Sequence, residues 1–438
     1  MFLCKRPFKL VIFLVSAMCL TLANLPIPAL HSSKEFLVFC FILSEIKHLS
    51  RIKKMLKGTI IWRLMTLMFV AMLVLFVFSP HYLSAHGFIV LLKSEVLIKY
   101  FVIAYAFISL TKEVDLHVIY RGSIVGLSIL TFFAIVNLIE GQSSFVSEMM
   151  QGSDFFTGMD EAGEDFGERY SDDKRFRVQG MFLLAFDYGY VCATLFIFYW
   201  FGILRKYIPR PLGIYALICC SFGVLTCNCR TVIFCLLIAF FVFYYSVYGK
   251  RIVKYMIILF VGFVFLYASI PAVSKAVDEK VISIFVENDN VGGSSFAMRA
   301  VQYAAVLTHV QGHELFGRGK DYFNIDLGWQ DGRQFLEDPD LEGIEGVLLN
   351  LILERGLVGV LFWLLFYVSL FFYFKKNKIY DDKVASLGMA YISYYFIYAN
   401  MTGEMGCVFP TMLLLGISVK EMFFAKQKAT AINELSEK

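Results

Sequence analysis

The chain has 438 residues, of which 58% are apolar, and its formal net charge is +4. Soluble domains average about 45–50% apolar residues and lack repeated apolar runs of about 20 residues, so this composition excludes an ordinary series of soluble domains. Nucleic-acid binding is not expected either, because the sequence contains no basic polar domain with interleaved aromatic residues.

Twelve apolar runs follow one another along the chain and predict an all-α polytopic integral membrane protein with about 12 transmembrane helices. The runs fall at 8–25, 36–47, 59–79, 87–111, 121–139, 181–203, 211–228, 231–248, 252–272, 357–374, 384–402 and 407–424. The second run is short, and Lys93, Glu95 and Lys99 interrupt the fourth. A segment that lies in the interface without crossing the bilayer is therefore an alternative for 36–47 and for 87–95.

Two large polar loops divide the apolar runs into three groups. The predicted order is about five N-terminal membrane helices (1–139), an acidic loop (140–180), about four membrane helices (181–272), a large loop (273–356), three membrane helices (357–424) and a tail (425–438). Of the 36 acidic residues, 10 lie at 140–180 and 13 at 273–345. The second loop ends in the apolar stretch 347–353, which predicts a short helix that re-enters the membrane and ends at Gly356.

Lysine and arginine are distributed unequally between the two sides of the predicted bundle. They concentrate in the connections at 5–9, 47–57, 112–121, 205–210, 250–254 and 375–383. The short connections on the opposite side, near 26–35, 80–86 and 403–406, contain only Lys34. Since basic connections face the cytoplasm, we expect both termini in the cytoplasm and both acidic loops outside. We interpret the first run as an uncleaved helix, because its apolar region is long for a signal peptide.

All ten cysteines lie outside the two acidic loops. Cys227 and Cys229 are two positions apart and would form a strained bridge, so we expect free thiols that serve as small core residues. The cysteine spacing does not match a zinc site, and the chain has neither a Walker loop nor a dinucleotide-binding fingerprint. We therefore expect no cofactor and no metal ion, and an ATP-driven transporter is disfavoured.

Three arginines stand out at the predicted outer membrane face. Arg177 precedes the sixth apolar run, Arg230 lies in the tight turn between two runs, and Arg299 lies in the first turns of a predicted helix. The planar guanidinium binds two oxygens of a phosphate at once, so three of them at one surface suit a lipid pyrophosphate. Taken alone, each arginine fits interfacial packing or a loop ion pair better. Arg230 is the hardest to explain in that way, because its turn is flanked by apolar spans.

Glu345 is the carboxylate best placed for chemistry in the second loop. It precedes the predicted helix 347–353 and would lie at the rim of the hydrocarbon, where a carboxylate can take a proton from a hydroxyl. The alternative is a favourable acid at a helix start, which contributes a few tenths of a kcal/mol through the helix dipole.

Four short segments resemble motifs of the O-antigen polymerase and O-antigen ligase superfamily, whose members handle polyprenyl-pyrophosphate-linked glycans at the outer face of the bacterial inner membrane. In chain order, motifs 1 to 4 are Arg177-Val178-Gln179-Gly180-Met181-Phe182, Leu225-Thr226-Cys227-Asn228-Cys229-Arg230, Arg299 through Phe316-Gly317-Arg318-Gly319, and Glu345 through Glu354-Arg355-Gly356-Leu357-Val358-Gly359. Cys229 stands where the family usually has serine, and Glu345 where its ligases carry histidine. The resemblance covers about 170–375.

The resemblance implies a GT-C-like fold and an O-antigen-type polymerase, which is an inverting, metal-independent glycosyltransferase. Arg230 and Arg299, together with Arg177, would then hold the donor pyrophosphate, and Glu345 would be the general base. The implied partners are an undecaprenyl-pyrophosphate-linked oligosaccharide, membrane lipid and a chain-length regulator protein.

Aromatic residues of the second loop are candidate contacts to the acceptor or to other sugars. Tyr303, Tyr322 and Trp329 present rings that suit stacking on sugar faces, although packing within the loop explains them equally well.

Three other functions remain open at this point. An O-antigen ligase would use the same donor but transfer the polymer to lipid A–core. A flippase for lipid-linked glycans, or another transporter, would have charges buried in mid-span and small outer loops, whereas this chain has two large loops. A membrane scaffold without chemistry would leave the arginine turns unexplained.

Overall fold

A computed structural model provides the fold of the protein. It describes residues 6–18, 43, 49–78, 92, 99–141, 177–182, 185–271, 274–275, 296–319, 322, 341, 346–403 and 408–436. Within these ranges the regular structure is helical and contains no strand. Seven of the described helices are long and apolar enough to cross a bilayer. The prediction of an all-α polytopic membrane protein is therefore confirmed.

Thirteen helices, numbered here in chain order, make up the described part of the chain. They are α1 (Arg6–Met18), α2 (Leu49–Leu56), α3 (Ile60–Phe78), α4 (Val102–Ser109), α5 (Val114–Glu140), α6 (Ala185–Leu204), α7 (Arg210–Thr226), α8 (Arg230–Tyr248), α9 (Arg251–Ser269), α10 (Phe296–His309), α11 (Val347–Asn377), α12 (Asp382–Thr402) and α13 (Val408–Ser436). Most of the predicted loops 140–180 and 273–345, and nearly all of the predicted run 36–47, lie outside the described residues.

The helix α11 contains the break that the sequence predicts at Gly356. This residue has φ 59° and ψ −163°, a conformation that is not helical and that favours glycine. The short helix 347–355 therefore ends at Gly356, and a second helix continues to Asn377.

The C-terminal helix α13 is longer than the sequence pattern predicts. We expected a membrane helix to 424 followed by a tail, but α13 continues without interruption to Ser436. Residues 425–436 are rich in alanine, lysine, glutamine and glutamate, which are strong helix formers in water. Helix propensity thus extends the helix after the apolar pattern has ended.

The centre of the bundle is built from small residues and tyrosines. A Cβ atom on Gly189 would lie 2.3 Å from Cys227 Sγ, and one on Gly223 would lie 2.3 Å from Cys192 Sγ, so α6 and α7 approach closely at these points. Small residues at helix crossings are how helices gain packing contacts in an apolar solvent. The six described cysteines are buried and free, which confirms the prediction of small core thiols for this part of the chain.

The two ends of the bundle differ in their polar contacts. At the end where α6 ends and α7 begins, Arg205 Nη2 lies 2.7 Å from Asp381 Oδ2, and the Tyr207 hydroxyl donates to Glu421 Oε1 at 2.5 Å. We call this end, which carries the lysine- and arginine-rich connections, the basic end. The opposite end, where α5 ends and α6 begins, is called the loop end because the two acidic loops connect there.

Candidate functional site

Motif 1 and motif 2 meet at the loop end. The backbone N–H of Val178 donates to the carbonyl oxygen of Thr226 at 3.1 Å, and the side chains of Val178 and Phe182 are buried against the bundle. Gly180 has φ 59°, which lets the chain turn between these two anchors. This docking holds Arg177 against the turn that joins α7 to α8.

The pKa of the Cys229 thiol depends on the groups that surround that turn. A hydrogen bond with Cys227 and burial raise the pKa of the Cys229 thiol well above its ordinary value, while Arg177 lowers this pKa and Asp187 raises it. The thiol is therefore protonated at neutral pH and is a poor nucleophile. Arg177 and Asp187 must both lie near Cys229, which is the residue before Arg230.

Arg230 is the first residue of α8, and its level in the bundle follows from the packing of α8 against α12. These two helices form the most extensive helix pair in the described structure. They are antiparallel, and the Ser386 hydroxyl donates to Ser246 Oγ at 2.7 Å near the basic end. Arg230 lies 16 residues from Ser246 along α8, which is about 24 Å at a rise of 1.5 Å per residue. Met401 lies 15 residues from Ser386 along α12, which is about 22 Å. Arg230 and Met401 thus lie at the same level at the loop end.

Arg299 forms a hydrogen bond at the same level of the bundle as Arg230 and Met401. It lies in the first turn of α10, and its Nη2 atom donates to the carbonyl oxygen of Met401 at 2.5 Å. Gln302 lies one turn further along α10 and is 1% exposed. The guanidinium therefore caps the end of α12, whose last carbonyls carry the partial negative charge of the helix dipole.

A third contact connects α12 to the first turn of α6. The Tyr398 hydroxyl donates to the carbonyl oxygen of Phe186 at 3.0 Å, and Tyr398 lies three residues before Met401. The next residue after Phe186 is Asp187, which is buried. The three predicted arginines, contributed by separate segments, are therefore brought to one end of the bundle around the ends of α6, α8 and α12.

Motif 3 and motif 4 also meet in space. The backbone N–H of Arg318 donates to the Leu353 carbonyl oxygen at 2.7 Å, and that of Leu357 donates to the Glu314 carbonyl oxygen at 2.8 Å. The Arg318 Nε atom donates to the carbonyl oxygen of His309 at 2.7 Å. The turn at 314–319 is thus fixed to the break at Gly356 and to the end of α10, the helix whose first turn contains Arg299.

Two glycines permit this contact. A Cβ atom on Gly317 would lie 2.5 Å from the backbone nitrogen of Arg355, and one on Gly356 would lie 2.5 Å from the Leu315 carbonyl oxygen. Both glycines also have positive φ. Backbone atoms cannot move aside as a flexible side chain can, so the approach requires glycine at both positions.

We expect Gly317→Ala to loosen the contact between motifs 3 and 4. The left-handed backbone costs alanine about 1–2 kcal/mol, and the clash adds about 1–3 kcal/mol. Gly312→Ala is the matched control, because Gly312 has φ 78° but open space around its Cβ position. Trypsin should cleave after Arg318 faster in Gly317→Ala than in Gly312→Ala, and equal cleavage rates in the two variants would contradict the proposed fit.

The other predicted site residues have different positions. Glu345 and Trp329 lie outside the described residues. Gly346, which follows Glu345 in the sequence, has φ 109°, and a Cβ atom there would lie 2.9 Å from the carbonyl oxygen of Asn400. The chain immediately after Glu345 therefore abuts the end of α12, one residue from the carbonyl that binds Arg299.

Of the two described tyrosines with an expected sugar contact, Tyr303 is 44% exposed and Tyr322 only 9%. The Tyr322 hydroxyl lies 2.9 Å from His309 Nδ1, and the guanidinium of Arg318 lies 5.7 Å from the centre of its ring. Tyr322 belongs to a small apolar cluster between α10 and the short helix 347–355. Its position favours a packing role, while Tyr303 presents its ring to the surface.

Asp187 is a residue of this site that sequence reasoning missed. We counted it within the apolar run 181–203, yet it is an acid near the start of that run. Acids in membrane spans are rare and mark functional sites, so its presence in the run was a usable signal. The described residues contain no group of three or more histidine, cysteine, aspartate or glutamate side chains arranged to hold a metal ion.

No protein-family model matches the chain, and no curated protein matches its sequence.

Proposed function

We propose that the protein is an O-antigen-type polysaccharide polymerase with about 12 membrane spans and a GT-C-like fold. It joins lipid-linked repeat units at the periplasmic face of the bacterial inner membrane, with both termini in the cytoplasm. The donor is a growing chain on undecaprenyl pyrophosphate, and the acceptor is a lipid-linked repeat unit. A chain-length regulator protein is the proposed protein partner.

The convergence of three arginines at the loop end carries this proposal. Arg299 binds the Met401 carbonyl, Arg230 lies at the same level on α8, and Arg177 lies beside the turn before α8. The four motifs that resemble the superfamily pair in space, motif 1 with motif 2 and motif 3 with motif 4. Arginines contributed by three separate segments at one end of a membrane bundle suit a ligand with a lipid tail and an anionic headgroup, such as a polyprenyl pyrophosphate.

The proposed reaction is a single displacement. An acceptor hydroxyl oxygen attacks the anomeric carbon on the face opposite the pyrophosphate, so the configuration inverts. The bond from that carbon to the pyrophosphate oxygen breaks, and undecaprenyl pyrophosphate leaves with the electron pair. Arg177, Arg230 and Arg299 stabilise the charge that develops on the leaving group. Glu345 takes the proton of the attacking hydroxyl.

Deletion of the gene in its host tests the proposal, with the surface lipopolysaccharide separated by gel electrophoresis. We expect lipid A–core with a single added repeat unit and no ladder of longer chains. Core alone with polymer accumulating on the polyprenyl carrier would assign the ligase reaction instead, and core alone without such polymer would assign a flippase. An unchanged ladder would contradict a role in O-antigen assembly.

A further inference from the structure

A cavity of about 430 Å³ opens at the basic end of the bundle, far from the arginine site. Four helices supply its walls: the start of α3, the end of α4, the end of the second part of α11 and the second half of α13. Its volume lies within the range of about 300–1,000 Å³ that is usual for small-molecule sites. None of these wall segments belongs to motifs 1 to 4, so the cavity has no part in the proposed glycosyl transfer.

The wall of the cavity changes from apolar to polar along one face of α13. Phe423 lies at the inner part of the wall, followed at helical spacing by Lys426, Thr430 and Glu434. Phe107 of α4 completes the apolar part from the opposite side. This gradient runs parallel to the helix axis, as does the change from acyl chain to headgroup in a membrane leaflet.

The length of α13 places this change at the membrane surface. The hydrocarbon core is about 30 Å thick, which corresponds to about 20 helical residues. Counted from Val408, where α13 begins at the loop end, the hydrocarbon therefore ends near residue 427. The polar part of the cavity thus lies at the depth of the lipid headgroups.

The polar part contains one cation and one anion. Lys426 and Glu434 are eight residues apart, about 12 Å along the helix axis, and the described structure records no ion pair between them. The Lys426 ammonium lies 5.7 Å from the centre of the Tyr380 ring. Thr430 lies between the two charges on the same face and presents a hydroxyl. The arrangement complements a ligand that carries both an anionic and a cationic group.

We propose that this cavity binds a zwitterionic glycerophospholipid with a primary ammonium, as in phosphatidylethanolamine. The lipid phosphate lies against Lys426 and the first turn of α3, where the helix dipole adds partial positive charge. The ammonium lies against Glu434, and the glycerol and upper acyl chains pack on Phe107 and Phe423. The apolar part of the wall distinguishes a membrane lipid from a free phosphorylated amine, and the presence of Glu434 disfavours a purely anionic headgroup.

Native mass spectrometry of the purified full-length protein tests this, with phosphatidylethanolamine and phosphatidylglycerol of identical acyl chains as probes. We expect phosphatidylethanolamine to bind severalfold more tightly, because its ammonium adds one charge contact, to the exposed Glu434. Lys426→Gln should weaken both lipids, while Glu434→Gln should abolish the preference between them. Lys428→Gln is the matched control, because Lys428 is exposed on the same helix but does not line the cavity.

Three results would overturn the proposal. They are equal binding of the two lipids to the unaltered protein, an equal effect of Lys428→Gln and Lys426→Gln, and retention of glycerophosphoethanolamine without acyl chains at the affinity of the intact lipid. The last result would assign a soluble ligand to the cavity. All of these measurements are independent of polymer synthesis.

Discussion

Replacing Arg299 with alanine is expected to reduce polymer synthesis about 10²–10³-fold, the usual cost of removing one preorganised donor that stabilises developing charge. Arg299 combines the two properties that this role requires. It is half-buried, and its side chain is held by a hydrogen bond to the Met401 carbonyl oxygen. The measurement is the rate at which purified protein joins lipid-linked repeat units, together with the lipopolysaccharide ladder of a deletion strain carrying the variant.

Two further variants separate a role in pyrophosphate binding from a role in packing. Arg299→Lys keeps the charge and a donor for the Met401 carbonyl but lacks the planar fork, so we expect an intermediate rate with a raised KM for the donor. Full rescue by lysine would instead assign a packing role. Arg251→Ala, at an exposed arginine on α9 at the basic end, should leave the rate unchanged. A normal ladder from Arg299→Ala at normal membrane levels would remove Arg299 from the site.

The helices themselves follow from the sequence because the signal for a membrane helix is local. An apolar run of about 20 residues must satisfy its own backbone hydrogen bonds in lipid, and only a helix does so within one segment. The break at Gly356 is equally local, since a glycine after an apolar stretch supplies the conformation that ends a helix. Such features are encoded in neighbouring residues and need no knowledge of the fold.

The neighbours of each helix are not encoded in this way. Lipid and protein interior are both apolar, so hydropathy shows which residues leave water but not which helices touch. The packing of α8 against α12, which places Arg230 level with Met401, could not be predicted for that reason. The contact from Arg299 to the Met401 carbonyl uses a backbone atom, which leaves no pattern in the sequence. Asp187 was overlooked because its run was judged by average hydropathy.

The final helix α13 extends beyond the end of its apolar run. The apolar pattern predicts a membrane span to 424 and a tail after it, but lysine, glutamate and alanine continue a helix in water as well as leucine does in lipid. The twelve additional residues to Ser436 carry the polar wall of the cavity at the basic end. The apolar pattern therefore marks the extent of the membrane and not the extent of the helix.

Replacing Glu345 with glutamine is expected to lower the turnover of the polymerase about 10²–10⁴-fold, the range of general-base catalysis. A carboxamide is nearly the same size as a carboxylate but cannot take the proton of the acceptor hydroxyl. Because donor binding is assigned to the arginines, the KM for the donor should stay unchanged while kcat falls. Steady-state rates with purified protein and lipid-linked repeat units measure both quantities.

Glu342→Gln is the control, since Glu342 lies three residues before Glu345 in the sequence and has no assigned role. Glu345→Asp should retain part of the activity, because the shorter side chain still carries a base. Turnover of Glu345→Gln at the level of the unaltered protein would show that another group accepts the proton. Asp187 would then be the carboxylate to replace, since it is buried at the loop end and its charge raises the pKa of the Cys229 thiol, next to Arg230 in the sequence.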